Sequence, residues 1–88
     1  TIFNAIGCRV EVEKMIATGR IDMVVETTQY IYVLELKLSD NGGVDAAAEQ
    51  IRAKQYAEPF KADKRKVIAL AIELDDRGKG LVDWKEVF

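Results

Sequence analysis

Histidine is absent from the sequence, and cysteine occurs once, at Cys8. A lone cysteine forms no intramolecular disulfide, and a chain without histidine lacks a common zinc ligand and any serine–histidine or cysteine–histidine catalytic pair. No apolar run approaches the roughly 18 residues of a membrane-spanning helix, and no secretory signal opens the chain, so we expect a soluble, cytoplasmic protein. The chemistry left to the sequence is that of carboxylates, lysines and metal ions bound through oxygen.

Acidic residues slightly outnumber basic ones, with 15 against 13 among 88 residues and a formal net charge of −2. This length accommodates one small domain, and 49% hydrophobic with 32% charged residues is a globular composition. The charge is uneven, because residues 50–66 contain six basic and two acidic side chains, a net charge of +4. Such a segment is either a surface that faces phosphates or a solvated helix and loop, and the charge alone favours the second interpretation.

Apolar periodicity divides the chain into successive elements. Ile2, Phe3 and Ile6 have the spacing of the last turns of a buried helix that Gly7 would end, so we expect an excised domain whose first helix is only partly present. The remaining pattern predicts strands over residues 8–15, 20–27 and 30–38, a helix over 44–57 that Pro59 limits, a buried strand over 66–74, and a last strand or extension over 81–88.

The connections predict how these strands pair. Thr28 and Gln29 leave room only for a tight turn, so strands 20–27 and 30–38 form an antiparallel hairpin in which paired positions sum to about 57. A strand, a helix and a buried strand in succession form a βαβ unit, which makes strand 66–74 parallel to strand 30–38. The sequence therefore predicts an α/β domain with the order αβββαβ and a mixed sheet flanked by helices.

Asp22, Glu35 and Lys37 are the residues that indicate a reaction. Glu35 and Lys37 are two positions apart on one strand and share a face, and the hairpin register places Asp22 opposite Glu35. Two carboxylates brought together on a sheet repel each other unless a cation lies between them, and Mg²⁺ accepts such oxygen ligands together with water and phosphate. A lysine beside them offsets phosphate charge and helps to activate water. The three residues together indicate metal-assisted phosphodiester hydrolysis.

The same residues also have an ordinary structural interpretation. A Glu-x-Lys pair on a strand is commonly a same-face ion pair, and a single aspartate in a strand is commonly an edge or turn feature. The order of the three residues, ahead of a helix and a parallel strand, favours the catalytic interpretation over coincidence.

Two segments resemble a known family: GRID at residues 19–22 and YVLELK at residues 32–37. They resemble the PD-(D/E)XK nuclease superfamily, in which an aspartate on one strand and Glu-x-Lys on the next form the catalytic centre of a restriction-endonuclease-like αβββαβ core. The pattern is similar in particular to bacterial C-terminal domains attached to AAA-type ATPase-like domains. Their later string A-x-x-Q-I-x-x-K-x-Y-A appears here with Ala47, Gln50, Ile51, Lys54, Tyr56 and Ala57.

The resemblance implies a role for each matching residue. Asp22 and Glu35 would bind Mg²⁺ or Mn²⁺, with the Leu36 carbonyl as a third ligand, and Lys37 would be the catalytic lysine. Gln50 would reach back toward the active site, although a capping or surface amide is its ordinary interpretation. Three further residues are expected to contact nucleic acid. Arg20 and Lys54 would bind phosphates, and Tyr56 would stack on a base, although core packing is its ordinary interpretation.

The resemblance also implies a function and partners, and one residue that it leads us to expect is missing from the sequence. We expect a single domain over residues 1–88 that cleaves DNA, with an ATPase domain upstream in the same chain, no membrane partner, and a homodimer because dimers are frequent in the superfamily. Many members carry an acidic residue on the first helix, but residues 1–6 contain none; Glu13 is the nearest substitute, although an exposed strand carboxylate is its simpler interpretation. The alternatives are an inactive nuclease-fold module that binds nucleic acid or regulates the ATPase domain, and a plain α/β interaction domain.

Overall fold

The computed structural model describes residues 8–77 and 80–88. Its strands are β1 (Arg9–Ile16), β2 (Gly19–Glu26), β3 (Tyr30–Leu38), β4 (Lys66–Leu74) and β5 (Leu81–Glu86), and its α-helix is α1 (Gly43–Ala53). Short 3₁₀ turns cover Ser39–Asn41 and Glu58–Phe60. The helix expected at Ile2–Phe3–Ile6 lies outside the described residues. The predicted strand bounds hold to within one residue, except that β5 ends two residues before the end of the predicted 81–88 segment.

The five strands form one mixed sheet in the order β1-β2-β3-β4-β5. β3 and β4 are parallel, as predicted for the βαβ unit, and the other neighbours are antiparallel. The β2–β3 register pairs Val24 with Val33 and Met23 with Leu34, which confirms the sum of 57 that the sequence predicts. The hairpin turn is held by Thr27, whose hydroxyl oxygen accepts the Tyr30 N–H at 2.9 Å.

Helix α1 packs on one face of the sheet because alanines let it approach closely. Its buried side chains are Val44, Ala47, Ala48 and Ile51, and they lie against Ile31, Val33, Ala69 and Ala71 of β3 and β4. The alternation predicted for β3 is confirmed, since Ile31, Val33 and Glu35 are buried and the intervening residues are half-buried. Within residues 8–77 and 80–88 the order is βββαββ with one α-helix, so the predicted sheet flanked by helices is corrected to a sheet with a single helix there.

The start of α1 is fixed to β4 by Glu73. Its Oε1 accepts the Val44 N–H at 3.0 Å, and its Oε2 accepts the Ser39 hydroxyl at 2.6 Å. These two hydrogen bonds lower the pKa of Glu73, that from Ser39 most strongly. Gly43 is required at this contact, because its φ is +62° and a Cβ there would lie 2.3 Å from Glu73 Oε1.

The end of α1 differs from the prediction. The sequence suggested a helix to residue 57, but α1 ends at Ala53 because Gln55 adopts the left-handed conformation with φ of +53°. The chain turns back at this point, and the Tyr56 N–H donates to the Ile51 carbonyl at 3.3 Å. The turn brings the Tyr56 side chain under the sheet-facing side of the helix, where it is fully buried.

Several large apolar side chains remain exposed outside this core: Val12, Met15, Leu81, Val82, Trp84 and Phe88. None of the helices formed by residues 8–77 and 80–88 has the length and apolar character needed to cross a bilayer.

Candidate active-site cleft

A cleft of about 560 Å³ opens between β1–β2, the carboxyl-terminal half of β3 and helix α1. It is lined by the following residues: Met15, Gly19, Arg20, Asp22, Glu35, Leu36, Lys37, Leu38, Asn41, Gln50 and Lys54. All but one of the site residues predicted from the sequence are therefore brought together here, and the exception is Tyr56. Met15, Gly19, Leu38 and Asn41 were not predicted as site residues, although Asn41 lies three residues beyond the end of β3, at the strand end where ligands of α/β sheets commonly bind.

Glu35 is the buried carboxylate of the cleft, with 2% of the residue exposed. The Tyr56 hydroxyl donates to Glu35 Oε1 at 2.6 Å, and Lys37 Nζ lies 3.9 Å from Glu35 Oε2. Burial raises the pKa of Glu35, and the Asp22 carboxylate adds to that rise, whereas Tyr56 and Lys37 oppose it. Burial thus disfavours the charged form of this carboxyl.

Asp22 lies just beyond the last pair of residues, Met23 and Leu34, that joins β2 to β3. The backbone ladder runs from Glu26–Ile31 to Met23–Leu34, and the next position of β2 is Asp22, opposite Glu35 in the same register. Here the side chain takes part, because Asp22 Oδ2 accepts the Leu36 N–H at 3.0 Å. The juxtaposition of the two carboxylates predicted from the hairpin is confirmed by this geometry.

Lys37 reaches the buried carboxylate from the open side of the cleft. Its side chain is 29% exposed, whereas that of Glu35 is 3% exposed. The aliphatic part of Lys37 thus follows the strand surface while the ammonium remains accessible. A group in this position can contact both Glu35 and a phosphate that enters the cleft.

Gln50 and Tyr56 form a hydrogen-bonded layer beside Glu35. Gln50 Nε2 donates to the Tyr56 hydroxyl oxygen at 3.0 Å, and that hydroxyl also lies 2.9 Å from the Arg20 carbonyl oxygen. Gln50 lines the cleft as predicted, but Tyr56 is fully buried. The predicted contact between Tyr56 and nucleic acid is thereby corrected, because no face of its ring is accessible to a base.

Arg20 and Lys54 are the cations at the rim of the cleft. Lys54 runs across Gly19, where a Cβ would lie 3.6 Å from the Lys54 side chain and where φ is +151°. The Thr18 hydroxyl donates to the Lys54 carbonyl, which holds the β1–β2 turn against the end of α1. Both rim cations are exposed and can approach a polyanion.

The basic segment 50–66 contributes to the cleft mainly through Lys54. Arg65 is instead bound to neighbouring groups of the domain: its guanidinium donates to Glu26 at 2.7 Å, to Asp63 at 2.8 Å and to the Thr27 carbonyl at 3.0 Å. Lys61 pairs with Glu58 at 3.8 Å. The Lys61 side chain is 74% exposed and Arg65 is held by hydrogen bonds within the domain, and neither lines the cleft.

Glu13 does not complete a metal site. It lies at an irregularity of β1, with φ of +56°, between the pairs Val12–Met23 and Lys14–Ile21. Its side chain is 70% exposed and lies 3.5 Å from the Arg20 guanidinium. Within residues 8–77 and 80–88 no group of three or more histidine, cysteine, aspartate or glutamate side chains is placed to hold a metal ion.

Two carboxylates with one bound oxygen each nevertheless suit a magnesium-type ion. Asp22 Oδ2 accepts the Leu36 N–H and Glu35 Oε1 accepts from Tyr56, whereas Glu35 Oε2 faces Lys37 Nζ at 3.9 Å and the two carboxyl groups contact each other, where a cation would replace their mutual contact. Mg²⁺ is commonly bound by one or two protein carboxylates, with waters and substrate phosphate completing its octahedron. Leu36 also lines the cleft, so its carbonyl stays a candidate third ligand.

Comparison with known proteins places this geometry in a family. A sequence model of the PD-(D/E)XK nuclease superfamily matches residues 1–84. The chain belongs to the PD-(D/E)XK nuclease superfamily. The Glu35-Leu36-Lys37 triplet has the form of the (D/E)XK element in the superfamily's name.

The chain is also similar to part of a longer bacterial protein. This relative, described as an uncharacterized protein in the vnfD 5′ region of Azotobacter chroococcum mcd 1, is 29% identical over 82 residues. The match covers 93% of this chain and 16% of the relative. No solved structure matches the chain. Membership of the superfamily therefore rests on the family match, and attachment to an ATPase domain stays a prediction.

Proposed function

We propose that this PD-(D/E)XK domain is a Mg²⁺- or Mn²⁺-dependent nuclease that hydrolyses phosphodiester bonds of DNA. The observation that carries the proposal is the meeting of Asp22 and buried Glu35 in one cleft, with Lys37 Nζ 3.9 Å from Glu35 Oε2. A buried carboxylate beside a second one is unfavourable without a cation, and such perturbed groups in a cleft are typical of functional sites.

Each residue then has a distinct task. Asp22 and Glu35 would hold the divalent ion, which when bound supplies Lewis-acid polarisation of the phosphate and compensation of its charge. Lys37 would contact the scissile phosphate and orient the attacking water. The new P–O bond forms from that water as the P–O bond to the leaving oxygen breaks, which yields a phosphomonoester and a hydroxyl. Gln50 acts through Tyr56, and Arg20 with Lys54 would bind phosphates of the same strand.

A second candidate function is binding without hydrolysis. In the described residues the site contains two carboxylates and not three, which is what a nuclease-fold module that has lost activity would show. Such a module would bind nucleic acid or regulate an adjoining ATPase domain. A plain interaction domain is less well supported, because a simple Glu35–Lys37 ion pair does not account for Asp22 beside Glu35.

The setting of the domain is part of the proposal. The chain spans 16%, about a sixth, of the length of the relative that it matches. We propose a bacterial, cytoplasmic protein in which the domain follows an ATPase-like domain, acts on DNA and forms a homodimer.

Cleavage assays on the full-length protein test this function. Supercoiled, linear and single-stranded DNA, and RNA, are incubated with Mg²⁺ or Mn²⁺ and with the variants Asp22→Asn, Glu35→Gln and Lys61→Ala. We expect metal-dependent cleavage of DNA that both carboxylate variants abolish and that Lys61→Ala retains, since Lys61 lies outside the cleft. Binding of DNA with no cleavage under any metal would overturn hydrolysis and favour the second candidate.

A further inference from the structure

The Tyr56 hydroxyl is a buried polar group that contacts three parts of the fold. It lies 2.6 Å from Glu35 Oε1 on β3, 2.9 Å from the Arg20 carbonyl on β2 and 3.0 Å from Gln50 Nε2 on α1. A phenylalanine would fill the same space, so packing alone does not require the hydroxyl. Burying a hydroxyl is unfavourable unless its hydrogen bonds are made, and here all three neighbours are polar.

The Tyr56 hydroxyl can donate only one hydrogen bond, which limits how its three contacts are made. The hydroxyl has a single proton, and the Gln50 amide already donates to its oxygen, so the proton goes either to Glu35 Oε1 or to the Arg20 carbonyl. Of these two acceptors Glu35 Oε1 is the closer, at 2.6 Å against 2.9 Å for the Arg20 carbonyl oxygen. The Gln50 amide, which donates to the hydroxyl oxygen at 3.0 Å, helps to hold the hydroxyl in place.

The consequence concerns which oxygen of Glu35 remains free. Oε1 is occupied by Tyr56, whereas Oε2 faces Lys37 Nζ at 3.9 Å. A half-turn of the carboxylate exchanges two equivalent oxygens and restores the same arrangement, whereas an intermediate rotation breaks the Tyr56 hydrogen bond. Tyr56 therefore fixes the plane of the Glu35 carboxylate, with the oxygen that it does not contact facing Lys37.

We propose that Tyr56 is a positioning residue that restricts Glu35 to bind the divalent metal through the oxygen that Tyr56 does not contact, Oε2 in this structure, on the side of Lys37. This inference rests on the proposed metal site. Tyr56, a residue of the later motif, thus contacts Glu35. Gln50 in turn holds the Tyr56 hydroxyl by a hydrogen bond. Hydrogen-bond partners of metal ligands typically change metal affinity by about 10–100-fold when removed.

Tyr56→Phe in the full-length protein tests the inference, with Ile51→Val as the matched control. Ile51 is fully buried in the apolar core and its carbonyl accepts the Tyr56 N–H, so truncating its side chain weakens packing beside Tyr56 and leaves the hydrogen bonds of the Glu35 carboxylate in place. Calorimetric titration with Mn²⁺ measures metal affinity, thermal unfolding measures stability, and DNA cleavage gives kcat and KM. We expect Tyr56→Phe to bind Mn²⁺ about 10-fold more weakly or worse and to lower kcat with KM for DNA unchanged, whereas Ile51→Val keeps wild-type Mn²⁺ affinity.

The outcomes separate this inference from the proposed function. Wild-type Mn²⁺ affinity in Tyr56→Phe, or an equal loss in Ile51→Val, overturns the positioning role and leaves the nuclease proposal standing. Mn²⁺ binding without cleavage by the wild type overturns the nuclease proposal, while weaker binding by Tyr56→Phe still supports the positioning role. Absence of Mn²⁺ binding by the wild type overturns both. If Tyr56→Phe does not fold, Gln50→Leu takes its place, with a severalfold loss of Mn²⁺ affinity expected and unchanged affinity overturning the inference.

Discussion

Lys37 Nζ lies 3.9 Å from Glu35 Oε2, and the two side chains differ in exposure, at 29% for Lys37 and 3% for Glu35. The strand places them two residues apart on one face, so the lysine reaches from the open cleft to a carboxylate in the core. The pair therefore differs from a surface ion pair, in which both partners would be solvated.

Replacement of Lys37 is expected to separate catalysis from metal binding. In Lys37→Met the aliphatic stem is kept and the charge is lost, so DNA cleavage should fall at least about 100-fold because transition-state charge is no longer offset. Mn²⁺ affinity should be retained or rise, since a positive neighbour of the metal is removed. Lys85→Met is the control, because Lys85 pairs with Asp45 at 2.9 Å and lies outside the cleft. Wild-type cleavage by Lys37→Met would contradict the assigned role.

Neutralising Asp22 is expected to stabilise the metal-free protein. Asp22→Asn keeps an oxygen for the Leu36 N–H and removes the charge that contributes to the raised pKa of Glu35. The free energy of unfolding at neutral pH should therefore rise by about 1 kcal/mol in urea titrations with EDTA. The same variant should lose the stabilisation that Mg²⁺ gives the wild type. A plain interaction domain predicts the reverse, because Asp22 would then be a structural residue whose loss destabilises the fold.

The pH dependence of stability is expected to report on Asp63. The Arg65 guanidinium lowers the pKa of Asp63 from its ordinary value of 3.8 to about 2. A lowered pKa means that the ionised form favours the folded state, so this stabilisation is present above pH 3.8 and is lost as the pH falls toward 2. Urea unfolding between pH 2 and 6 should show a shallower decline for Asp63→Asn, with lower stability at neutral pH; an unchanged profile would contradict the assignment. Asp83→Asn, on exposed β5, is the control.

Lys54 and Lys66 are expected to differ in DNA binding although both belong to the basic segment. Lys54 lines the cleft, whereas Lys66 begins β4 beside Tyr30, at the end of the parallel pair away from Lys37. In fluorescence anisotropy with EDTA, Lys54→Ala should weaken binding and reduce the slope of log affinity against log salt by about 1. Lys66→Ala should leave both unchanged. Equal losses in the two variants would indicate diffuse attraction to the whole segment.

Local pattern predicted the strands and the central pair of carboxylates. The two-residue turn at Thr28–Gln29 fixes the β2–β3 register, and the register fixes Asp22 opposite Glu35, so neighbouring residues contain the information. The parallel pairing of β3 and β4 followed in the same way from the intervening helix.

Tertiary contacts decided what the sequence did not predict. Residues 54–57 continue the helical pattern, but the left-handed Gln55 ends α1 and the hydroxyl of Tyr56 finds partners on β2, β3 and α1. The hydrogen bonds that favour this turn join Tyr56 to residues 21 and 36 positions away in the chain. Helical periodicity contains no information about contacts between such distant positions. The same reason explains why Arg65, which belongs to the same basic segment as Lys54, donates hydrogen bonds to Glu26 and Asp63 and does not line the cleft.

The most direct test of the central claim is a crystal structure of the protein with Mn²⁺, with the metal located by anomalous scattering. The account predicts a single strong peak in the cleft about 2.1 Å from an Asp22 oxygen and from the Glu35 oxygen that Tyr56 does not contact, with the other Glu35 oxygen still bonded to Tyr56. A cleft without a peak, or a peak bound to the Glu35 oxygen that accepts from Tyr56, would contradict it.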